Sequence, residues 1–419
     1  MLCVRGKNTF SLRKAAKLRQ CCLTMNPHKA AHLVRSFSTA ILLILMLWSS
    51  GANGSTPPKP HGKFLVYVGT YTAKDSKGIY AYRLDTATGQ LTSIGLAAAT
   101  ENPSFVVIHP NGRFLYAVNE VPKYQGKDSG GISAFAIDRS TGKLTLLNQV
   151  PSGGADPCYL SFDKSAKHLL VANYTGGNVA AFPVQDDGKL GEASGFMQHK
   201  GSSVNVERQE GPHAHSIDLS SNNRFAMVSD LGLDQVLVDR FDRVRGTLTP
   251  NDPPYTKVEA GSGPRHFKFH PNQRSAYLIS ELRNTVTAYS YDAKTGALHP
   301  RQTISTLPKD FSGHSEAAEI QFDPAGKFLY ASNRGYDSIA VFKINPVDET
   351  LSNVEIVPSG GKSPRYFTVD PSGSRLFVAN QDSSNIVVFK IDRQTGRLTQ
   401  TGQVIALDAP VCMQFLALD

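Results

Sequence analysis

The sequence predicts an all-β chain, a seven-bladed β-propeller with four-stranded antiparallel blades closed by the C-terminal strand. Three observations predict it. One strand motif recurs seven times at spacings of 47 to 57 residues. Most copies are followed by a second alternating strand and then a glycine turn. The chain also starts and stops out of phase with this repeat, so that its two ends complete one another. Repeats of this length with several strands apiece are the mark of propeller blades rather than helical solenoids.

The recurring strand reads FLVYVGT from Phe64, FLYAVNE from Phe114, HLLVANY from His168, FAMVSDL from Phe225, SAYLISE from Ser275, FLYASNR from Phe328 and RLFVANQ from Arg375. Before it runs a shorter strand, usually opened by proline, as in NPSFVVIHPNGRFLYAVNE (Asn102 to Glu120) and PRYFTVDPSGSRLFVANQ (Pro364 to Gln381). A turn such as Pro110-Asn111-Gly112 joins the two. The third strand follows as GIYAYRLD, GISAFAID, NVAAFPV, TVTAYSYD, SIAVFKI or NIVVFKI, each with the period-two alternation of a half-buried strand. Turns such as Thr141-Gly142-Lys143-Leu144 and Thr395-Gly396-Arg397-Leu398 start the fourth. The chain enters at a second strand, Phe64, with no first strand before it. It leaves on a lone first strand, Pro410 to Leu416, which is expected beside the Phe64 strand, leaving no open sheet edge between the two ends.

Residues 1–53 read as a leader, 54–61 as a stiff linker and 62–419 as the propeller. Ala40 to Trp48 is an apolar run with Lys29 and Arg35 before it and small or polar residues after it, the layout of a secretory signal. It is too short for an ordinary spanning helix. Cleavage is expected near Ala52, and export to the periplasm or medium follows, with the cytoplasm the location if the leader is not functional. Nine of the 44 Lys and Arg fall in residues 1–60, which hold no Asp or Glu; the other 35 match the 35 Asp and Glu. The domain is therefore neutral overall, which argues against a nucleic-acid partner or membrane insertion. A monomer is expected. Cys158 and Cys412 lie in blades that are not neighbours and read as buried small side chains rather than a disulfide.

In each antiparallel hairpin the start of the first strand and the end of the second share one rim. Residues just after each proline thus face residues about 16 positions later, seven times around one funnel. Ser104 pairs with Glu120, Cys158 and Tyr159 with Tyr174, His215 with Asp230, Arg265 and His266 with Glu281, Glu319 with Arg334, and Arg365 with Gln381. A mouth this rich in charge is costly unless it pairs internally or binds something. Arg265 with Glu281 and Glu319 with Arg334 also read as structural ion pairs. Asn119, Asn173, Asn333 and Asn380 recur at one position and read as hydrogen-bonding devices. His213 and His215 share a strand face, but no further ligands at recognisable spacing accompany them, so neither metal nor cofactor is expected.

At VNVERQEGPHAHS (Val204 to Ser216), SDLGLDQV (Ser229 to Val236), GPRHFKFHP (Gly263 to Pro271), AEIQFDPAGKFLYASNRG (Ala318 to Gly335) and SPRYFTVDPSG (Ser363 to Gly373) the chain resembles the bacterial 6-phosphogluconolactonase family of the propeller type. That family is related to fungal propeller enzymes that make or open a muconolactone. The resemblance runs from about Phe64 to the C-terminus. It implies hydrolysis of 6-phospho-D-glucono-1,5-lactone or a similar sugar lactone. It implies a channel-mouth site at His215, Arg265, Glu281 and Arg334, with His215 as general base, the arginines on developing charge and Glu281 orienting Arg265 or His215. Arg208, Gln209, His213, His266, Glu319, Arg365, Glu120, Asp230 and Gln381 are the expected substrate-binding residues. The leader departs from the resemblance, since a phosphorylated sugar lactone is a cytoplasmic metabolite; an unphosphorylated or carboxylated lactone stands beside it. The rival reading is an exported, non-enzymic propeller that binds a ligand or a protein partner. The asymmetric His/Arg/Glu cluster separates the two, because a scaffold would repeat one residue type in every blade.

Overall fold

The computed structural model describes residues 62–418; the expected leader and linker lie outside the described residues. Among the described residues the 28 strands form seven four-stranded antiparallel sheets. Six of these sheets are consecutive in sequence, and the seventh is completed from the far end of the chain. There Pro410–Leu418 pairs with Lys63–Thr70, with Leu65 opposite Leu416 and Thr70 opposite Pro410. The ring closes as the ends of the sequence predict.

Burial peaks at the second strand of each blade and falls toward the outermost one. The second strands, Phe114–Asn119, His168–Asn173, Phe225–Asp230 and Ser275–Ser280, are buried at every position. Each is covered on both faces by neighbouring blades and so carries an unbroken apolar run. The outermost strands alternate, as in Leu398–Ala406, and face solvent on one side. A tyrosine at one position of the second strand ties consecutive blades. The Tyr116 hydroxyl donates to the Gly188 carbonyl at 2.7 Å, Tyr277 to Glu349 at 2.6 Å and Tyr330 to Gly396 at 3.1 Å. Each acceptor lies in the turn between the third and fourth strands of the next blade, so a large ring is buried with its polar end satisfied.

Those turns have their own chemistry. Asp138 takes the Ser140 amide on its carboxylate at 2.9 Å while its carbonyl accepts from Gly142 at 2.7 Å. Asp242, Asp292 and Asp392 repeat the device. The recurrent asparagines pin the second strand to the segment that enters its blade: Asn119 Nδ2 donates to Glu101 O at 2.6 Å, Asn173 to Ser152 O at 3.1 Å and Asn333 to Thr306 O at 3.0 Å.

Candidate active site

A repeated backbone device aims one side chain per blade at the channel mouth. The residue before the strand-opening proline is left-handed in five blades: Asn102 (φ 40°), Asp156 (φ 53°), Gly263 (φ 64°), Ser363 (φ 55°) and Ala409 (φ 43°). Its carbonyl accepts the amide of the residue that follows the second strand, as Gly263 does from Glu281 at 2.7 Å and Asn102 from Glu120 at 3.0 Å. The residue after the proline, or after Ala214 where alanine stands in its place, is then squeezed out of the ladder. The register shifts at Pro157/Tyr159, Ala214/Ser216, Pro264/His266 and Pro364/Tyr366, leaving Cys158, His215, Arg265 and Arg365 as bulged residues. Bulges of this kind re-aim a side chain; here they set a thiol, an imidazole and two guanidinium groups around one mouth.

On one arc the charges assemble around Glu281. Arg265 donates to its Oε2, Arg208 Nη2 lies 2.6 Å from Oε1, and Arg334 Nη2 lies 3.0 Å from Oε2. Arg208 also reaches Glu316, and Arg334 Nη2 lies 3.2 Å from the same carboxylate. Burial alone would raise the Glu281 carboxyl, but Arg334, Arg265 and Arg208 outweigh it and hold it well below its usual range. Arg334 is pushed down to about 10 by burial, with Glu281 opposing. Its Nη2 is taken up by the Glu281 and Glu316 carboxylates, but its Nε has no acceptor, so this buried cation keeps one donor unspent.

His215 sits beside this network. Arg265 Nη1 lies 2.7 Å from His215 Nε2, and a guanidinium has no acceptor. Nε2 is therefore the unprotonated nitrogen and Nδ1 carries the hydrogen, 3.7 Å from Cys158 Sγ. Burial first, then Arg265, holds the imidazole well below its usual value, so it is neutral.

One layer deeper, His266 Nδ1 donates to Glu319 Oε2 at 3.0 Å, and His266 Nε2 has no partner. Burial pushes His266 down to about 4, with Glu319 opposing. Phe105, Tyr159 and Tyr366 close the channel around it, with Phe105 4.5 Å from Tyr159 and 6.1 Å from Tyr366 between ring centroids. Between this plug and the mouth lies a cavity of about 20 Å³ lined by Ser104, Glu120, Cys158, His215, Arg265, His266 and Arg365. It has room for about one water. A larger hollow of about 950 Å³ lies away from this chemistry, between turns at the seam of the last and first blades, lined by Thr88, Arg375, Lys390 and Arg393. It has none of the buried acid–base groups that gather at the mouth.

The opposite arc holds Glu120, whose carboxylate accepts from Tyr71 Oη at 2.9 and 3.0 Å and from Ser104 Oγ. Burial raises its pKa, against Arg365, Ser104 and Tyr71. The Arg365 guanidinium lies 5.4 Å from the Tyr71 ring centroid. Gln381 follows the second strand of the Arg365 blade, its backbone N–H donating to Ser363 O at 2.9 Å.

Four expectations change. Glu319 is not beside Arg334: Glu316 is the residue opposite Arg334, and Glu319 turns inward to His266. This blade opens with Ala317 in place of proline, and its bulge spans Ala317/Ile320, which displaces the count. Asp230 pairs with Ala214, not His215, and occupies the recurrent asparagine position. Its carboxylate accepts the amides of His213, Gly232 and Leu233 and contacts His199 Nδ1 at 2.7 Å. Gln209 is fully buried and spends its amide on Leu231 O and Asn205 N, bracing the loop that carries Arg208. His213 stacks on Tyr174 at 4.5 Å and bonds Glu210 and Tyr174 O, so it backs the mouth without facing the cavity. Glu316 and Tyr71 join the site unannounced, while Cys158 lies at the mouth as its pairing with Tyr174 placed it. Aligning blades on the Asn333 position would have exposed Glu316, and Tyr71 ends the one second strand whose proline lies at the other end of the chain.

The family described as Lactonase, 7-bladed beta-propeller matches residues 65–415. A Bacillus subtilis protein named 6-phosphogluconolactonase is 38% identical over 354 residues, covering 84% of this chain and 99% of that one. A Formosa agariphila protein of the same name is 35% identical over 353 residues, covering 83% of this chain and 98% of that one. Two crystal structures superpose closely. One is a putative 6-phosphogluconolactonase from Bacteroides fragilis (TM-score 0.79, 37% identity, covering 86% of this chain and 100% of that one). The other is a periplasmic gluconolactonase from Pseudomonas aeruginosa (TM-score 0.81, 33% identity, covering 85% and 100%).

Proposed function

Because this chain belongs to the seven-bladed β-propeller lactonase family, we propose that it hydrolyses a sugar lactone of the 6-phospho-D-glucono-1,5-lactone type at the mouth formed by His215, Arg265, Glu281 and Arg334. The observation that carries this reading is the cluster of three guanidinium groups on the buried Glu281, set above a one-water cavity. Opening a lactone puts negative charge on the carbonyl oxygen, and the catalyst must hold donors where that charge appears. Arg334 brings an unspent Nε–H. Arg265 brings an N–H that in the free enzyme rests on the His215 lone pair. An incoming carbonyl oxygen competes for that N–H, and does so better as its charge grows, so the contact strengthens toward the transition state. Glu281 fixes both guanidinium planes, and Arg208, half exposed on the lip, is the cation positioned for an anionic substituent.

The cavity is far too small for a sugar ring, so the ring lies above it and only the reacting carbonyl reaches down. A second reading, an unphosphorylated lactone met after export, is favoured by the signal-like leader and by the Pseudomonas aeruginosa relative named as periplasmic. Hydrolysis of glucono-1,5-lactone with and without a 6-phosphate, corrected for spontaneous opening, tests both. Turnover of the phosphorylated compound alone supports the first reading, and faster turnover of the plain sugar lactone supports the second. Neither being hydrolysed contradicts the assignment.

A further inference from the structure

We propose that the His266–Glu319 dyad, rather than His215, is the general base that activates the hydrolytic water; this deepens the lactonase reading and rests on it. Three geometric facts carry it. His266 Nε2 is a buried lone pair with no protein partner, on a ring that lines the one-water cavity beneath the mouth. A buried acceptor left open beside a water-sized space is completed by a water. His266 Nδ1 is held by the buried Glu319 carboxylate at 3.0 Å, which fixes the tautomer that leaves Nε2 free. A base oriented by a third group in this way is the recurring arrangement of nucleophile activation.

His215 lacks both properties. Its Nε2 is covered by Arg265 at 2.7 Å, and its Nδ1–H faces a thiol, which cannot balance the charge of an imidazolium as a carboxylate can. His266 is kept neutral by burial and by Arg265 and Lys268, while Glu319 favours the proton's arrival. His215, 5.1 Å away between centroids, positions Arg265.

The step balances on the dyad alone. The water O–H bond breaks and its proton passes to His266 Nε2, while the water oxygen bonds to the lactone carbonyl carbon and the C=O pair moves to oxygen. That pair then re-forms the carbonyl as the ring C–O bond breaks, and the proton on Nε2 goes to the departing ring oxygen. The products are a hydroxyl and a carboxylic acid that ionises to solvent, and the imidazole is restored.

The test measures glucono-1,5-lactone and 6-phosphoglucono-1,5-lactone hydrolysis by wild type, His266→Ala, Glu319→Gln and His215→Ala, with and without added imidazole. His266→Ala should lower kcat by roughly 10²- to 10⁴-fold with KM little changed, and imidazole filling the vacated space should restore part of it. Glu319→Gln keeps the shape of the pair and should lower kcat by a smaller factor. His215→Ala should show no imidazole rescue. Full turnover in His266→Ala or Glu319→Gln, or rescue confined to His215→Ala, overturns the proposal while leaving the lactonase reading intact. A wild type that opens neither lactone overturns both. Should His266→Ala fail to fold, Glu319→Gln decides alone.

Discussion

Glu281 carries one negative charge among three guanidinium groups, and that count has thermodynamic consequences. Its carboxyl is held well below the ordinary 4.5, burial being outweighed by Arg334, Arg265 and Arg208. A depressed folded pKa contributes stability that is fully present above the unfolded value and is lost as pH falls through the folded one. Glu281→Gln leaves Arg265 and Arg334 buried without their shared counter-charge, and breaking such a pair costs about 3–5 kcal/mol. Urea unfolding at pH 7 should show that loss. Between pH 4.5 and pH 3 wild type should lose stability more steeply than the variant; equal slopes would place the acid-sensitive group elsewhere. Residue identities were legible in the sequence where chemistry and spacing coincide, as in Arg265 and Glu281, sixteen positions apart on one hairpin. Partners were not. That Gln209 spends its amide on backbone, or that Arg265 covers the His215 lone pair, depends on side-chain directions set by a bulge and a loop.

Each blade's opening turn is the element that carries the site. Gly263 adopts φ 64°, accepts the Glu281 amide at 2.7 Å and donates to Asp234 Oδ1 at 2.8 Å. A Cβ there would stand 2.7 Å from Leu282 Cγ. Gly263→Ala should therefore cost about 1–3 kcal/mol and also lower turnover, because Arg265 and Glu281 flank the strained bond. Calorimetry and kcat on the same sample check this; a variant that keeps wild-type stability would show that the turn is not strained. The proline and the position-16 partner made these turns readable. The sixth blade shows the limit: without its proline, Ala317 hid a wider bulge, and Glu319 was matched to Arg334 in place of Glu316.

Seven similar blades place six different residue types at seven equivalent positions: Ser104, Cys158, His215, Arg265, Ala318, Arg365 and Val411. The fold fixes where these side chains emerge, and the departures from repetition decide what they do. Ring size and closure were legible because they follow from counting strands and from a lone first strand at Pro410. The grouping of charge on one arc was legible only in outline, because Arg208 arrives from a loop outside the repeat. The central claim is that the guanidinium cluster on Glu281 stabilises the charge of an opening lactone. Steady-state hydrolysis of the two glucono-1,5-lactones by wild type and Arg265→Ala, with folding verified by circular dichroism, tests it most directly. The account predicts measurable turnover by wild type and a loss of roughly 10²- to 10³-fold in kcat for the variant, the usual effect of removing one donor to an oxyanion. A folded Arg265→Ala with wild-type turnover would contradict it.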